Sequence, residues 1–124
     1  MMKIILAIGL GSCLGGISRY FLSQLVQGKF LSTFPYGTLF VNILGCFLIG
    51  IIFGLSERGN FTMLWRLFLV TGFLGGFTTF SSFSNETVAL LRDGQIWHAF
   101  IYVGLSLFIC LAATFSGISL IKLF

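Results

Sequence analysis

Gly72-Phe73-Leu74-Gly75-Gly76-Phe77-Thr78-Thr79-Phe80-Ser81-Ser82-Phe83-Ser84 occupies the middle of a chain that is otherwise almost entirely apolar. The run that contains it, residues 62–91, is thirty residues long. As a continuous helix it would measure about 45 Å, against a hydrocarbon core of about 30 Å. Tilt absorbs part of that excess, and an interruption absorbs more. The pair Gly75-Gly76 lies near the midpoint of the run, so the spacing predicts a helix broken there, close to the bilayer midplane. Unwound backbone at that depth is tolerated only where protein buries it or where it lines a polar cavity. Freed carbonyl oxygens and half-helix ends at such a break suit a small hard cation such as Na+. A glycine kink held by neighbouring hydroxyls is the structural alternative.

Around this run the composition defines the class. Of 124 residues, 57% are hydrophobic and 8% charged, far from the usual soluble balance of roughly half apolar and a quarter charged. Four apolar stretches, at 4–27, 36–56, 62–91 and 96–121, each reach the roughly 20 residues needed to span a bilayer. The expectation is one all-α membrane domain over residues 1–124, with four transmembrane helices and too little outside the bilayer for a soluble catalytic domain. A signal peptide ending near Leu10-Gly11-Ser12-Cys13 competes for the first stretch, but the hydrophobic run continues to Leu25, as a retained span does. Cys13, Cys46 and Cys110 fall inside spans without metal-ligand spacing and read as small packing residues.

The net charge of +4 comes from basic residues scattered singly, which form no patch for nucleic acid. With four spans both termini share a side, which collects Lys3, Arg58, Arg66 and Lys122. The other side has Lys29 and Arg92, with Arg19 inside the first span. So small a bias barely orients the chain under the positive-inside rule, and insertion both ways is plausible. Two oppositely inserted copies paired antiparallel have their two-fold axis in the membrane plane, where a midplane break meets its own copy. Trp65, Trp97, Tyr20 and Tyr36 lie near span ends as interfacial anchors. Gly11/Gly15, Gly50/Gly54 and Gly72/Gly76 sit four residues apart, a spacing that lets helices approach closely in lipid.

Phe80 and Phe83, three apart, share a helix face. Packing against lipid or core is the plain reading among sixteen phenylalanines. The interleaved Ser81, Ser82 and Ser84 add another, since hydroxyls beside positive ring edges could hold an anion; serines can also bond back to their own helix. Tyr102, Ser106, Cys110 and Thr114 recur every four residues in the last span. They drift only about 40° per step, so they form one stripe. That stripe is either a hydrogen-bonding track or a helix contact built on small residues. Asn42 and Arg19 are costly at membrane depth and are functional candidates by default. Arg19 faces no carboxylate in the first two spans; it would gather anions near a mouth, or snorkel to the headgroups. Glu86 either shapes a vestibule or is a satisfied carboxylate at a span end.

Three motifs together resemble the small fluoride channels of the Fluc (CrcB) family: Gly16 with Arg19-Tyr20; Gly37-Thr38-Leu39-Phe40-Val41-Asn42-Ile43 with Gly45; and the Gly72–Ser84 stretch with Glu86. The likeness covers essentially the whole chain. It implies an antiparallel, dual-topology homodimer with two fluoride pores and a central structural Na+ held by the backbone carbonyls of Gly75 and Thr78 from both subunits. It further implies that Phe80 and Phe83 touch fluoride with their ring edges beside Asn42. Ser81, Tyr102, Ser106 and Thr114 would line a polar track with Thr38 along it, and Arg19 and Glu86 would look toward the vestibule. The family pattern often has a hydroxyl where Cys110 stands, and a thiol is a weaker donor.

The resemblance also implies passive export of cytoplasmic fluoride across a bacterial inner (plasma) membrane. No hydrolytic motif or paired nucleophile suggests an enzyme. A small multidrug-type cation/proton antiporter, similarly a four-span dual-topology dimer, would want a carboxylate in its first span, where this chain has Arg19. A noncatalytic membrane scaffold would use the polar stripe for packing alone.

Overall fold

The computed structural model describes residues 1–124, all of which fall in helices or their short connections. The elements are α1 (Met2–Gln27), α2 (Tyr36–Glu57), α3 (Met63–Arg66), a π-helical segment (Leu67–Leu74), α4 (Gly75–Phe77), α5 (Phe80–Arg92) and α6 (Ile96–Lys122). Four helices are long and apolar enough to cross a membrane: Met2–Gln27, Tyr36–Glu57, Met63–Arg92 and Ile96–Lys122. They lie within two residues of the expected spans. Gly59 (φ 75°) and Gly94 (φ 79°) take the left-handed conformation that closes the second and third connections.

The helices pair through glycine. The broadest contacts are α2 with α6 and α1 with the π-helical segment. A Cβ on Gly50 would collide with the Thr114 carbonyl, and one on Gly117 with the Phe47 carbonyl. On the other pair, Cβ atoms on Gly11 and Gly15 would strike the carbonyls of Phe68 and Phe73. The expected role of Gly11/Gly15, Gly50 and Gly72 as points of close approach therefore holds, and Gly54 rests on the Ile121 side chain. In lipid, where apolar burial gives little drive between helices, this contact of backbone on backbone supplies the packing.

The third run is interrupted near its centre, but not at its glycine pair. Gly75 and Gly76 remain helical, and the backbone turns extended at Thr78 (φ −88°, ψ 157°) and Thr79 (φ −150°, ψ 123°) before α5 begins. The reason is packing: a Cβ on Gly76 would lie 2.6 Å from the Ser12 carbonyl oxygen, so this glycine serves the contact with α1. The unwinding falls to two β-branched hydroxyl residues, which lose little by leaving a helix. Gly45 on α2 clears the space, since a Cβ there would strike Thr78 Cγ2. The π-helical turns just upstream were not anticipated; such turns are rare and concentrate at functional sites.

Only 17 of 124 residues are buried, and none of these is polar or charged, so the chain turns much of its apolar surface outward. One buried cluster joins Phe34, Leu39, Leu90, Ala99 and Tyr102, and a second joins Val41, Leu74 and Phe77 behind the interruption. Trp65, Trp97 and Tyr20 are exposed, as anchors should be. Tyr36 instead stacks on Phe30, with ring centroids 4.2 Å apart.

Candidate functional site

Asn42, projecting from α2, holds the interruption open. Its Nδ2 donates to the Thr79 carbonyl (3.1 Å) and its Oδ1 accepts from the Thr79 N–H (2.9 Å). One amide thus satisfies both backbone groups of a residue that has left the helix, which hydrocarbon could not do. Thr79 caps α5, its Oγ1 accepting from the Ser82 N–H at 3.1 Å.

These bonds release carbonyls. A continuing helix would aim the Thr79 N–H at the Gly75 carbonyl and the Ser82 N–H at that of Thr78. The first goes to Asn42 and the second to Thr79 Oγ1. The Gly76 carbonyl accepts from Arg19 Nε at 3.0 Å. Arg19 is thus tied to the end of the broken helix as well as lining a polar cavity.

Two cavities flank the interruption, and Thr79 lines both. One, of about 300 Å³, is polar; Arg19, Thr38, Ser82, Asn85 and Glu86 face it. The other, of about 520 Å³, is mostly apolar, with Asn42, Gly75, Thr78, Phe80, Phe83 and Ser106 in its wall. Phe80 and Phe83 lie with ring centroids 5.5 Å apart at an interplanar angle of 54°. Phe83 in turn packs on Tyr102 at 5.1 Å.

The stripe on α6 is chemically divided. Tyr102 donates its hydroxyl to Glu86 Oε1 (3.2 Å), and Thr38 donates to Glu86 Oε2 (2.9 Å). Thr114 donates to the Cys46 carbonyl at 3.0 Å, tying α6 to α2. Ser106 Oγ is buried without any hydrogen-bond partner. Ser81 is exposed, with its Oγ 3.2 Å from Thr79 Oγ1. The expected site residues therefore separate: Asn42, Phe80, Phe83, Ser106, Gly75 and Thr78 meet at one cavity, and Thr38, Arg19 and Glu86 at the other. Ser81, Tyr102 and Thr114 line neither.

Sequence reading missed Thr79, which bridges the cavities. Its signal was a helix-capping residue three positions before Ser82, inside an apolar run.

Residues 6–118 match the family model described as CrcB-like protein, Camphor Resistance (CrcB). The chain belongs to the CrcB (Fluc) family. Among its relatives are proteins named fluoride-specific ion channel FluC. That of Flavobacterium psychrophilum is 48% identical over 123 residues, covering 98% of each chain. One from Thermus thermophilus is 50% identical over 116 residues, covering 94% of this chain and 93% of the relative. One from Campylobacter jejuni is 39% identical over 122 residues, covering 98% of this chain and 100% of the relative. With four helices able to span a bilayer, this member of the CrcB family is a multi-pass membrane protein.

Proposed function

We propose that the chain is a fluoride-selective channel that passively exports cytoplasmic fluoride across a bacterial inner membrane. It works as an antiparallel, dual-topology homodimer with two pores. The observation that carries this reading is Ser106 Oγ, a buried hydroxyl without a partner in the wall that also holds Phe80 and Phe83. Such a group costs about 1–3 kcal/mol unless something accepts its proton, and a small anion passing the cavity would. The names of the relatives, fluoride-specific ion channels, support fluoride as that anion.

Fluoride leaves water only if donors replace its shell, because a bare ion in hydrocarbon is prohibitively unstable. Arg19 and the hydroxyl and amide groups of the polar cavity attract and partly desolvate it. The pore is built from Asn42, Phe80, Phe83 and Ser106 at the larger cavity and Thr38 at the polar one, with positive ring edges and donors in succession. Tyr102 and Thr114, whose hydroxyls are spent on Glu86 and the Cys46 carbonyl, brace its wall, and Ser81 lies outside both cavities. Each contact is weak enough to release the ion to the next. Narrowness excludes chloride.

The released carbonyls of Gly75 and Thr78 fit a hard cation in donor chemistry. One chain offers too few oxygens to complete a shell, and an antiparallel mate would double the set. We assign these carbonyls to a structural Na+ whose charge pins the two interrupted helices together at the dimer centre.

The test is the purified dimer in liposomes, with fluoride and chloride followed by ion-selective electrodes. Fluoride efflux with chloride retained is expected. Proton-coupled uptake of a cationic drug would make the protein an antiporter, and neither activity in folded dimers would leave a scaffold.

A further inference from the structure

Cys46 on α2 and Cys110 on α6 line the same 520 Å³ cavity from the two sides of one helix contact. Two features hold the pair in register. Thr114, one turn after Cys110, bonds the carbonyl of Cys46 itself. Gly50 and Gly117 bring the two helix backbones into direct contact close by. Neither thiol is in a disulfide, and Cys13, the remaining cysteine, is exposed on α1. No His, Asp or Glu joins the pair to form a larger cluster of metal ligands. Zinc, which fills a tetrahedral shell, therefore lacks ligands here. Two sulfurs alone suit soft d10 ions that take two ligands in a line, since thiolates select soft metals.

We propose that Cys46 and Cys110 form a two-thiol site for a soft two-coordinate cation such as Cu(I), Ag(I) or Hg(II), and that its occupation blocks the track beside Ser106. Each thiol gives up its proton and forms one sulfur–metal bond. With Hg(II) two protons leave, the product is neutral, and no oxidant is needed. The bound ion stands one helical turn from Ser106, in the wall where fluoride would pass. The blocking half of this proposal rests on the channel reading; the metal site does not.

The probe is mercuric chloride, added at one equivalent per chain to Cys13→Ser protein in liposomes. X-ray absorption at the mercury edge counts sulfur neighbours in the intact protein. Two sulfurs are expected, falling to one when either Cys46→Ser or Cys110→Ser is added. One sulfur in the parent, or two surviving either single substitution, overturns the site. Fluoride efflux is compared with and without mercury for each protein. It should fall about tenfold or more in the parent, while the ratio stays near unity in Cys46→Ser/Cys110→Ser. Two bound sulfurs with undiminished efflux would overturn the block. Absence of fluoride efflux before mercury is added would overturn the channel reading and with it the block, while the sulfur count still decides the site.

Discussion

Asn42→Ala is the substitution that probes the interruption most directly. It removes two hydrogen bonds at once, to the Thr79 carbonyl and from the Thr79 N–H. Each is worth about 0.5–1.5 kcal/mol net while both partners are present, but removing one partner strands a backbone group at a cost of about 1–3 kcal/mol, or about 2–6 kcal/mol for the two. Asn42 is only half-buried, so partial rescue by water favours the lower part of that range, and the expected loss of folding stability is about 2–4 kcal/mol. The escape route open to the chain is to let the Thr79 N–H turn back to the Gly75 carbonyl. That would recover one bond but consume an oxygen assigned to Na+. Fluoride efflux should therefore fall further than the stability loss alone explains, in the fraction that still folds. The assay pairs reversible unfolding in detergent with efflux from liposomes at matched amounts of folded dimer. A variant within about 0.5 kcal/mol of the parent, the scale of an ordinary surface substitution, with parental efflux, would refute the idea that Asn42 holds the helix open.

Other substitutions test separate parts of the structure. Gly50→Ala drives a Cβ into the Thr114 carbonyl and should cost about 1–3 kcal/mol, whereas Gly104→Ala, with nothing within 4 Å, should stabilise by about 0.5–1 kcal/mol; thermal unfolding compares them. Phe80→Ile should abolish fluoride efflux with little change in folding, because Phe80 is 78% exposed on the chain. Phe83→Ile should also abolish efflux and cost about 1 kcal/mol, because Phe83 packs on Tyr102. Ser106→Ala removes an unpartnered donor, so it should slow efflux without loss of stability. Thr114→Val removes a helix-to-helix bond and should cost about 0.6 kcal/mol while slowing efflux less than Ser106→Ala, as parallel flux and unfolding measurements would establish.

The spans were legible because length and hydropathy alone decide whether a helix can cross a bilayer, and an interruption was legible because residues 62–91 were too long for one. Its position was not. Glycine breaks a helix in water by entropy, but Gly76 serves the close approach to α1 that its four-residue spacing from Gly72 also allowed, and the spacing alone does not decide which of the two roles prevails. The π-helical turns from Leu67 to Leu74 have no compositional signature to read.

The stripe on α6 marks the same limit from the chemical side. Spacing placed Tyr102, Ser106, Cys110 and Thr114 on one face and left open whether that face conducts or packs. The folded chain divides the answer by residue: Thr114 spends its proton on a neighbouring helix, Tyr102 spends its own on Glu86, and of the three hydroxyls only that of Ser106 stays unspent inside a cavity. Periodicity reports which residues share a face, whereas availability for a passing ion depends on what the facing helices already take. Thr79 escaped notice for the complementary reason. Its importance lies in its backbone N–H and carbonyl, which every non-proline residue carries, and only the reach of Asn42 from another helix singles them out.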